Sequence, residues 1–206
     1  MKIYDISMTI EEGMQVYKNR EEKRPRIIVE RDFKSGSTYE SRLEFNLHTG
    51  SHIDAPLHML ENGETIASYA LERLITPCKV FDFRGFKKIS DEELKTKEIK
   101  ENDFILFKTD NSFKEEFDFE FTYLTESGAF YLKEKKISGV GIDALGIERD
   151  QANHGTHKTL LGEGIIILEG LNLNEVLEGN YLLIALPLKI ANVEAAPVRA
   201  VLLDDF

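Results

Sequence analysis

His48-Thr49-Gly50-Ser51-His52-Ile53-Asp54-Ala55-Pro56-Leu57-His58 is the stretch on which the reading of this chain turns. Three of the chain's five histidines and one carboxylate fall inside it, and the remaining two, His154 and His157, also sit together. Imidazole is the commonest metal ligand and the usual acid–base group near neutral pH, so two tight groups ask for a chemical explanation. The residues before the stretch alternate from Tyr39 to His48. They predict a strand with Leu43, Phe45 and Leu47 toward the core and Glu44, Asn46 and His48 on the polar face. Gly50 then allows a tight backbone path, and Pro56 interrupts any continuing strand or helix. The histidines are thus presented by a strand-to-loop segment. His52 and Asp54, two residues apart, point the same way if the backbone there is extended.

Working outward, further strands are expected at Ile3 to Ser7, Ile27 to Phe33, Lys79 to Phe83, Asp103 to Thr109, Val140 to Asp143, Ile165 to Leu168, Tyr181 to Leu186 and Val198 to Leu203. Short helices are expected at Ser68 to Leu74 and Asn174 to Glu178, after the capping box Ser90-Asp-Glu-Glu93, from Thr125 to about Lys136, and from His154 to about Gly162. Glu11 to Pro25 reads as a surface loop of the length that often serves as a lid. Strands interspersed with short helices over 206 residues imply an α/β fold in one domain, residues 1–206.

Composition excludes several classes. A net charge of −11 argues against nucleic acid or an anionic membrane as partner. No apolar run suits a signal core or a membrane span. The single cysteine, Cys78, rules out an internal disulfide and suits a reducing compartment, so a cytoplasmic protein is expected. Cys78 leads into an apolar run and reads as a small core residue. There is no phosphate loop, dinucleotide fingerprint or Gly-x-Ser-x-Gly elbow.

His48, His52 and Asp54 offer two nitrogens and a carboxylate, the donor set of borderline divalent ions such as zinc. Glu169 follows four large apolar residues, Ile165 to Leu168, a costly place for a carboxylate unless something neutralises it. With His157 from the preceding helix it supplies a second ligand group, and five ligands suffice for two metals bridged by Asp54 or by hydroxide. Metal-bound water ionises at a pKa of about 7 instead of ~15.7. His58, after the rigid Pro56, is the candidate for a free histidine moving protons. Glu44 and Asp143 are candidates for orienting imidazoles, with surface or capping roles as the alternative.

His48-x-Gly50-Ser51-His52-x-Asp54-x-Pro56-x-His58 resembles the signature of the metal-dependent cyclase-like hydrolases, which include bacterial kynurenine formamidases and isatin hydrolases. The resemblance continues through Gly141-Ile-Asp143, His157-x-x-Leu160-Leu161, Ile167-Leu-Glu169-Gly-Leu, and Ala185-Leu-Pro-Leu-Lys to Ala195-Ala-Pro-Val-Arg199. It implies a layered β/β/α domain of the swivelling type, usually a homodimer or larger, with zinc (two per chain) or manganese. It implies metal binding by His48, His52, Asp54, His157 and Glu169, and acid–base work by His58. In formamidases, water activated at the metals attacks the N-formyl carbon, and kynurenine and formate leave. This chain departs from the pattern at Ser51, where threonine is usual, and after Asp143, where Ala-Leu-Gly-Ile-Glu-Arg replaces a Ser-x-Asp-like element. The expected partner is a small amide or lactone. An arylformamidase is the first expectation, a ring-opening hydrolase of a cyclic amide or lactone the second, and a metal-binding protein without turnover the third. Lacking tryptophan, the chain has Phe and Tyr from the early loop or from Phe117 to Tyr123 to stack on an aromatic substrate.

Overall fold

Alternating apolar residues sort this chain into two cores on opposite faces of one sheet. The computed structural model describes residues 1–149 and 151–204. In chain order the strands are β1 (Ile3–Asp5), β2 (Arg26–Arg31), β3 (Glu40–Glu44), β4 (His52–Asp54), β5 (Ile75–Asp82) and β6 (Lys88–Ile89). They continue with β7 (Phe104–Lys108), β8 (Tyr123–Leu124), β9 (Gly139–Ile142), β10 (Ile166–Glu169), β11 (Gly179–Pro187) and β12 (Ala195–Leu203). The helices are α1 (Asp91–Leu94), α2 (Glu126–Glu134) and α3 (Gly155–Gly162).

The main sheet runs β1-β12-β11-β5-β7-β9-β10-β4, and β4 pairs again with β12, so the sheet closes on itself. Its β5-β7-β9-β10 arc is parallel, and the remaining pairs are antiparallel. Closure removes the open edges through which sheets associate wrongly. Phe104, Leu106, Ile166, Leu168, Cys78, Val80, Leu183 and Ala196 fill the interior. Ile105, Phe107, Val140, Ile142, Ile165 and Ile167 face outward and are covered by α2 and α3 through Leu132, Leu160 and Leu161. The two walls of the closed sheet plus the helices make the expected β/β/α layering of an α/β fold. Two glycines on β9 make room inside. A Cβ on Gly139 would stand 2.2 Å from the Phe104 ring, and one on Gly141 would stand 2.6 Å from Leu106.

The caps follow the residue chemistry. Ser90 accepts from Glu92 N at 3.2 Å while Glu93 accepts from Ser90 N at 2.7 Å, which starts α1. The Thr125 hydroxyl accepts from Gly128 N at 3.1 Å to start α2. Among the described residues, no helix is long and apolar enough to cross a membrane. Cys78 is buried, and burial pushes its thiol pKa up to about 12, as a core residue requires.

Three expectations are corrected. The alternating segment from Tyr39 does not run as a strand to His48: β3 stops at Glu44 and pairs only with β2, in a separate two-stranded ribbon. Leu43 there is 46% exposed rather than core, because the ribbon lies off the main sheet. Residues 66–74 form two 3-10 turns, Ile66–Ser68 and Leu71–Arg73, instead of one helix. Tyr69 between them is extended, and its hydroxyl donates to the Asp54 carbonyl at 3.0 Å. Asn174 to Glu178 forms a turn, since the buried Lys108 ammonium donates to the Asn174 and Val176 carbonyls at 3.0 and 2.6 Å. Carbonyls taken by an ammonium are not offered to a helical N–H.

Phe104 is fully buried and has nowhere to swing. Gly139→Ala is therefore expected to lower unfolding stability by about 1–3 kcal/mol through overpacking. Urea denaturation of the purified variant measures it, and an unchanged midpoint would contradict this account of the barrel interior.

Candidate metal centre

Three-residue β4 is the closing staple of the sheet. On one side His52, Ile53 and Asp54 pair with Pro197, Ala196 and Ala195 of β12; on the other they pair with Glu169, Leu168 and Ile167 of β10. Ile53 and Leu168 point inward, so His52, Asp54 and Glu169 share the outer face. The extended backbone expected for the His52–Asp54 pair is therefore present.

The turn before β4 delivers His48. The Asn46 side chain accepts from His48 N at 3.0 Å, and Thr49 N returns to the Asn46 carbonyl at 3.0 Å. Gly50 follows with φ +68°, and its carbonyl lies 2.3 Å from where a Cβ on Gly170 would be, so the end of β10 also needs glycine. Ser51 rivets these pieces: its hydroxyl donates to the Gly170 carbonyl and accepts from Met8 N at 2.8 Å. That bonding explains a hydroxyl at this position without any nucleophilic role.

His157 arrives from the first turn of α3. Its Nε2 lies 3.2 Å from Glu169 Oε1 and 3.5 Å from Asp54 Oδ2. His52 Nε2 lies 3.3 Å from Glu169 Oε2 and 3.5 Å from Asp54 Oδ1, and His48 Nδ1 lies 3.0 Å from Asp54 Oδ1. The five residues expected to ligate metal thus converge on one point. His58, ending the 3-10 turn Pro56–His58, stacks beside them with its ring centroid 4.2 Å from that of His48 and 5.6 Å from that of His157.

Asp54 decides what the cluster can hold. It is fully buried, yet neither carboxylate oxygen has a hydrogen-bond donor, and His52 Nε2 is also unpartnered. An ionised carboxylate in such a place is expensive unless a cation compensates it. The orientation of His52 fits a ligand: Nδ1–H donates to the Gly50 carbonyl at 2.8 Å, which turns Nε2, the atom a metal would take, toward Asp54 and Glu169. The donor set of imidazole nitrogen and carboxylate oxygen fits zinc or manganese. Ligand atoms of His48, Asp54 and His58 lie within 4.8 Å of one another, as do those of His52, Asp54 and Glu169.

The field inside the cluster is strong. Burial opposes ionisation of Asp54, but the adjacent His157, His48 and His52 outweigh it and hold its pKa well below the ordinary range. Burial and the Asp54 charge oppose Glu169 ionisation, yet His157 and His52 bring its pKa down to about 2. Burial, by contrast, dominates at His58 and lowers its pKa, which leaves a neutral imidazole at pH 7.

One participant carried no spacing signal. Glu148 is buried, accepts from His157 N at 3.2 Å and sits 3.4 Å from His157 Nδ1, where it can orient the ring. It also pairs with His154 Nδ1 at 2.6 Å, while His154, in the left-handed region at φ 54°, precedes α3. Glu148 belongs to the segment after Asp143, where the chain leaves the family pattern, and its distance in sequence from either histidine follows no rule. Glu194, 3.4 Å from His48 Nε2, was equally hidden. Glu44 is not part of the site, since it pairs with Arg26 and Arg42 on the exposed ribbon. Asp143 faces away from the imidazoles, accepting from Thr109 N and Oγ1 at 2.7 Å and from Ser112 Oγ at 2.7 Å, and so caps the 109–113 turn.

A cavity of about 600 Å³ opens onto His48, His58, His157 and Glu169. Its outer wall is the early loop, with 3-10 turns at Tyr17–Asn19 and Glu21–Lys23. Tyr17 supplies an aromatic face, braced edge-on by Phe117 at 5.3 Å and Phe121 at 6.3 Å. Of the two regions from which aromatic rings were expected, the early loop lines the cavity with Tyr17, while Phe117 and Phe121 pack behind that ring and do not line it.

Comparison with known proteins agrees with this arrangement. Residues 4–149 match the family described as "Putative cyclase". The chain is 33% identical over 171 residues to a kynurenine formamidase of Bacillus cereus, covering 82% of each chain. A solved structure described as a predicted metal-dependent hydrolase from Bacillus stearothermophilus superposes with a TM-score of 0.89 at 49% identity, over 98% of this chain and 97% of the other. Isatin hydrolase A from Ralstonia solanacearum shares the fold, with a TM-score of 0.83 at 18% identity over 98% and 91% of the two chains. The match over residues 4–149 and the similarity to a kynurenine formamidase over 82% of the chain show that it belongs to the cyclase family of metal-dependent hydrolases.

Proposed function

We propose that this protein is a metal-dependent hydrolase of amide bonds, most like an arylformamidase that converts N-formylkynurenine to kynurenine and formate. The observation that carries the metal site is the buried Asp54 carboxylate, without a hydrogen bond and surrounded by His48, His52, His157 and Glu169. In this reading His48, His52, Asp54, His157 and Glu169 would together hold two divalent ions. Zinc is the first choice and manganese the second. The ions, when bound, polarise the substrate carbonyl and make water nucleophilic near neutral pH.

The chain's own residues do the rest. Neutral His58 takes a proton from the attacking water and delivers it to the departing aryl amine nitrogen, which is a poor leaving group as an anion. Tyr17 provides the surface on which the aryl ring lies. Glu148 keeps the His157 ring aligned, so the Nε2 lone pair stays on the cluster. The kynurenine formamidase similarity supports the formamide as substrate. The protein is proposed to act in the cytoplasm as a homo-oligomer, dimer or tetramer, without nucleic acid or membrane. The ribbon supports the oligomer: Ile27, Val29 and Leu43 form an exposed apolar face, backed by the Arg26–Glu44 and Arg42–Glu30 ion pairs.

Elemental analysis after metal supplementation is expected to find about two zinc or manganese ions per chain, and fewer than about one would sink this reading. His58→Ala should retain its metal while losing formate release from N-formylkynurenine by roughly 10²–10⁴-fold in kcat. Loss of metal in that variant would make His58 a ligand. Asp54→Asn should lose metal and activity together. Parallel assays with isatin and small lactones decide between a linear and a cyclic substrate. Val29→Glu with Leu43→Glu should lower the mass measured by light scattering, and an unchanged mass would remove the ribbon from the interface.

A further inference from the structure

The wall of the cavity opposite the histidines has the wrong charge for this protein. Over the whole chain acids exceed bases, giving −11, yet Lys18, Arg20 and Lys23 reach this one cavity. The carboxylates there, Glu148 and Glu169, are already engaged by His154, His157 and His52. Among the described residues, neither Arg20 nor Lys23 ends in an ion pair. Their neighbour Arg24 does, bonding Glu21 at 2.9 Å and the Met14 carbonyl at 2.8 Å. The same short stretch thus separates a basic residue that holds the loop from two that face the cavity.

Lys23 is held firmly in place. Its carbonyl accepts from Thr49 Oγ1 at 2.7 Å, which ties it to the ligand-bearing turn. Its ammonium lies 5.5 Å from the Tyr17 ring centroid, beside the proposed aryl surface. The group is half-buried, and burial, followed by the charge of Arg20, lowers its pKa. Lys23 is half-buried and Arg20 is exposed at the rim, and two like charges close together are relieved when an anion joins them. Asp54, Glu169 and Glu22 offset some of this charge in the protein alone, and a carboxylate on the ligand would add to them.

We propose that Lys23 and Arg20 form an anion subsite that selects substrates carrying a carboxylate, held while the aryl ring lies on Tyr17 and the scissile amide meets the histidine cluster. The inference rests on the amide-hydrolase reading, and it favours an acyclic formamide bearing a carboxylate over a ring or lactone without one. An ammonium and a guanidinium bind a carboxylate through charge-assisted hydrogen bonds.

The test uses metal-loaded protein and two substrates on one scaffold, N-formylkynurenine and its α-methyl ester, with formate release as readout. Wild type should prefer the acid. Lys23→Met and Arg20→Gln should each lower kcat/KM for the acid about tenfold more than for the ester, mainly through KM. Lys23→Arg should restore the preference. Equal losses on acid and ester, or none, would overturn the subsite. Calorimetry with 3-phenylpropionate and its amide separates this from the substrate assignment. A carboxylate held only by metal binds as tightly to the Lys23→Met/Arg20→Gln protein as to wild type, and that result also refutes the proposal. If the carboxylate preference is lost in the variants while no protein releases formate, the subsite stands and the arylformamidase reading falls. Thermal melts confirm that the variants are folded.

Discussion

A buried carboxylate with no hydrogen bond is the constraint on which the centre of this protein depends. Asp54 is inaccessible to water, and its oxygens meet only imidazoles. In a dry interior that arrangement is tolerable because opposite charge lies a few ångströms away, first on the histidines and then, in the loaded protein, on metal. Backbone pairing, one side-chain hydrogen bond and core packing hold Asp54 there: β4 is clamped between β10 and β12, the Asp54 carbonyl accepts from the Tyr69 hydroxyl, and its inward neighbour Ile53 is buried in the barrel interior. Rigidity on three sides keeps the ligands from collapsing into ordinary hydrogen bonds.

The closed sheet also explains why a costly site sits where it does. Parallel strands β9 and β10 end side by side; the segment after β9 carries Glu148 to the first turn of α3, and Glu169 is the last residue of β10. Antiparallel β4 runs the other way, so its first residue, His52, meets the last residue of β10, Glu169. One register therefore joins two ligands that lie far apart in sequence. The glycines at 50 and 170 let these chain ends approach more closely than any side chain would permit.

Charge is divided between depths of the cavity. The floor is a mixture of carboxylates and imidazoles that suits cations. The outer wall, on the 3-10 turns of the early loop, is basic and aromatic. In the proposed reading, metal on the floor and an anion on the wall would orient a substrate end to end, and a hydrogen bond from Thr49 to the Lys23 carbonyl joins the two parts.

His48, His52 and Asp54 were legible in the sequence because short ligand spacing in an extended segment has few other uses, and Glu169 because a carboxylate after four apolar residues demands a partner. Most strands, the capping box at Ser90 and the buried Cys78 were legible for the same local reasons. Glu148 and Glu194 were not, since their place beside His157 and His48 arises from chain crossings that leave no periodicity. Local pattern also misjudged Leu43, whose alternation is equally consistent with a ribbon standing off the main sheet. The sequence by itself determined the chemical type of the centre, because donor atoms are a property of residues. Only the tertiary structure decided the closure of the sheet through β4, the outward face of the ligands and the basic wall, because these follow from pairing between distant segments.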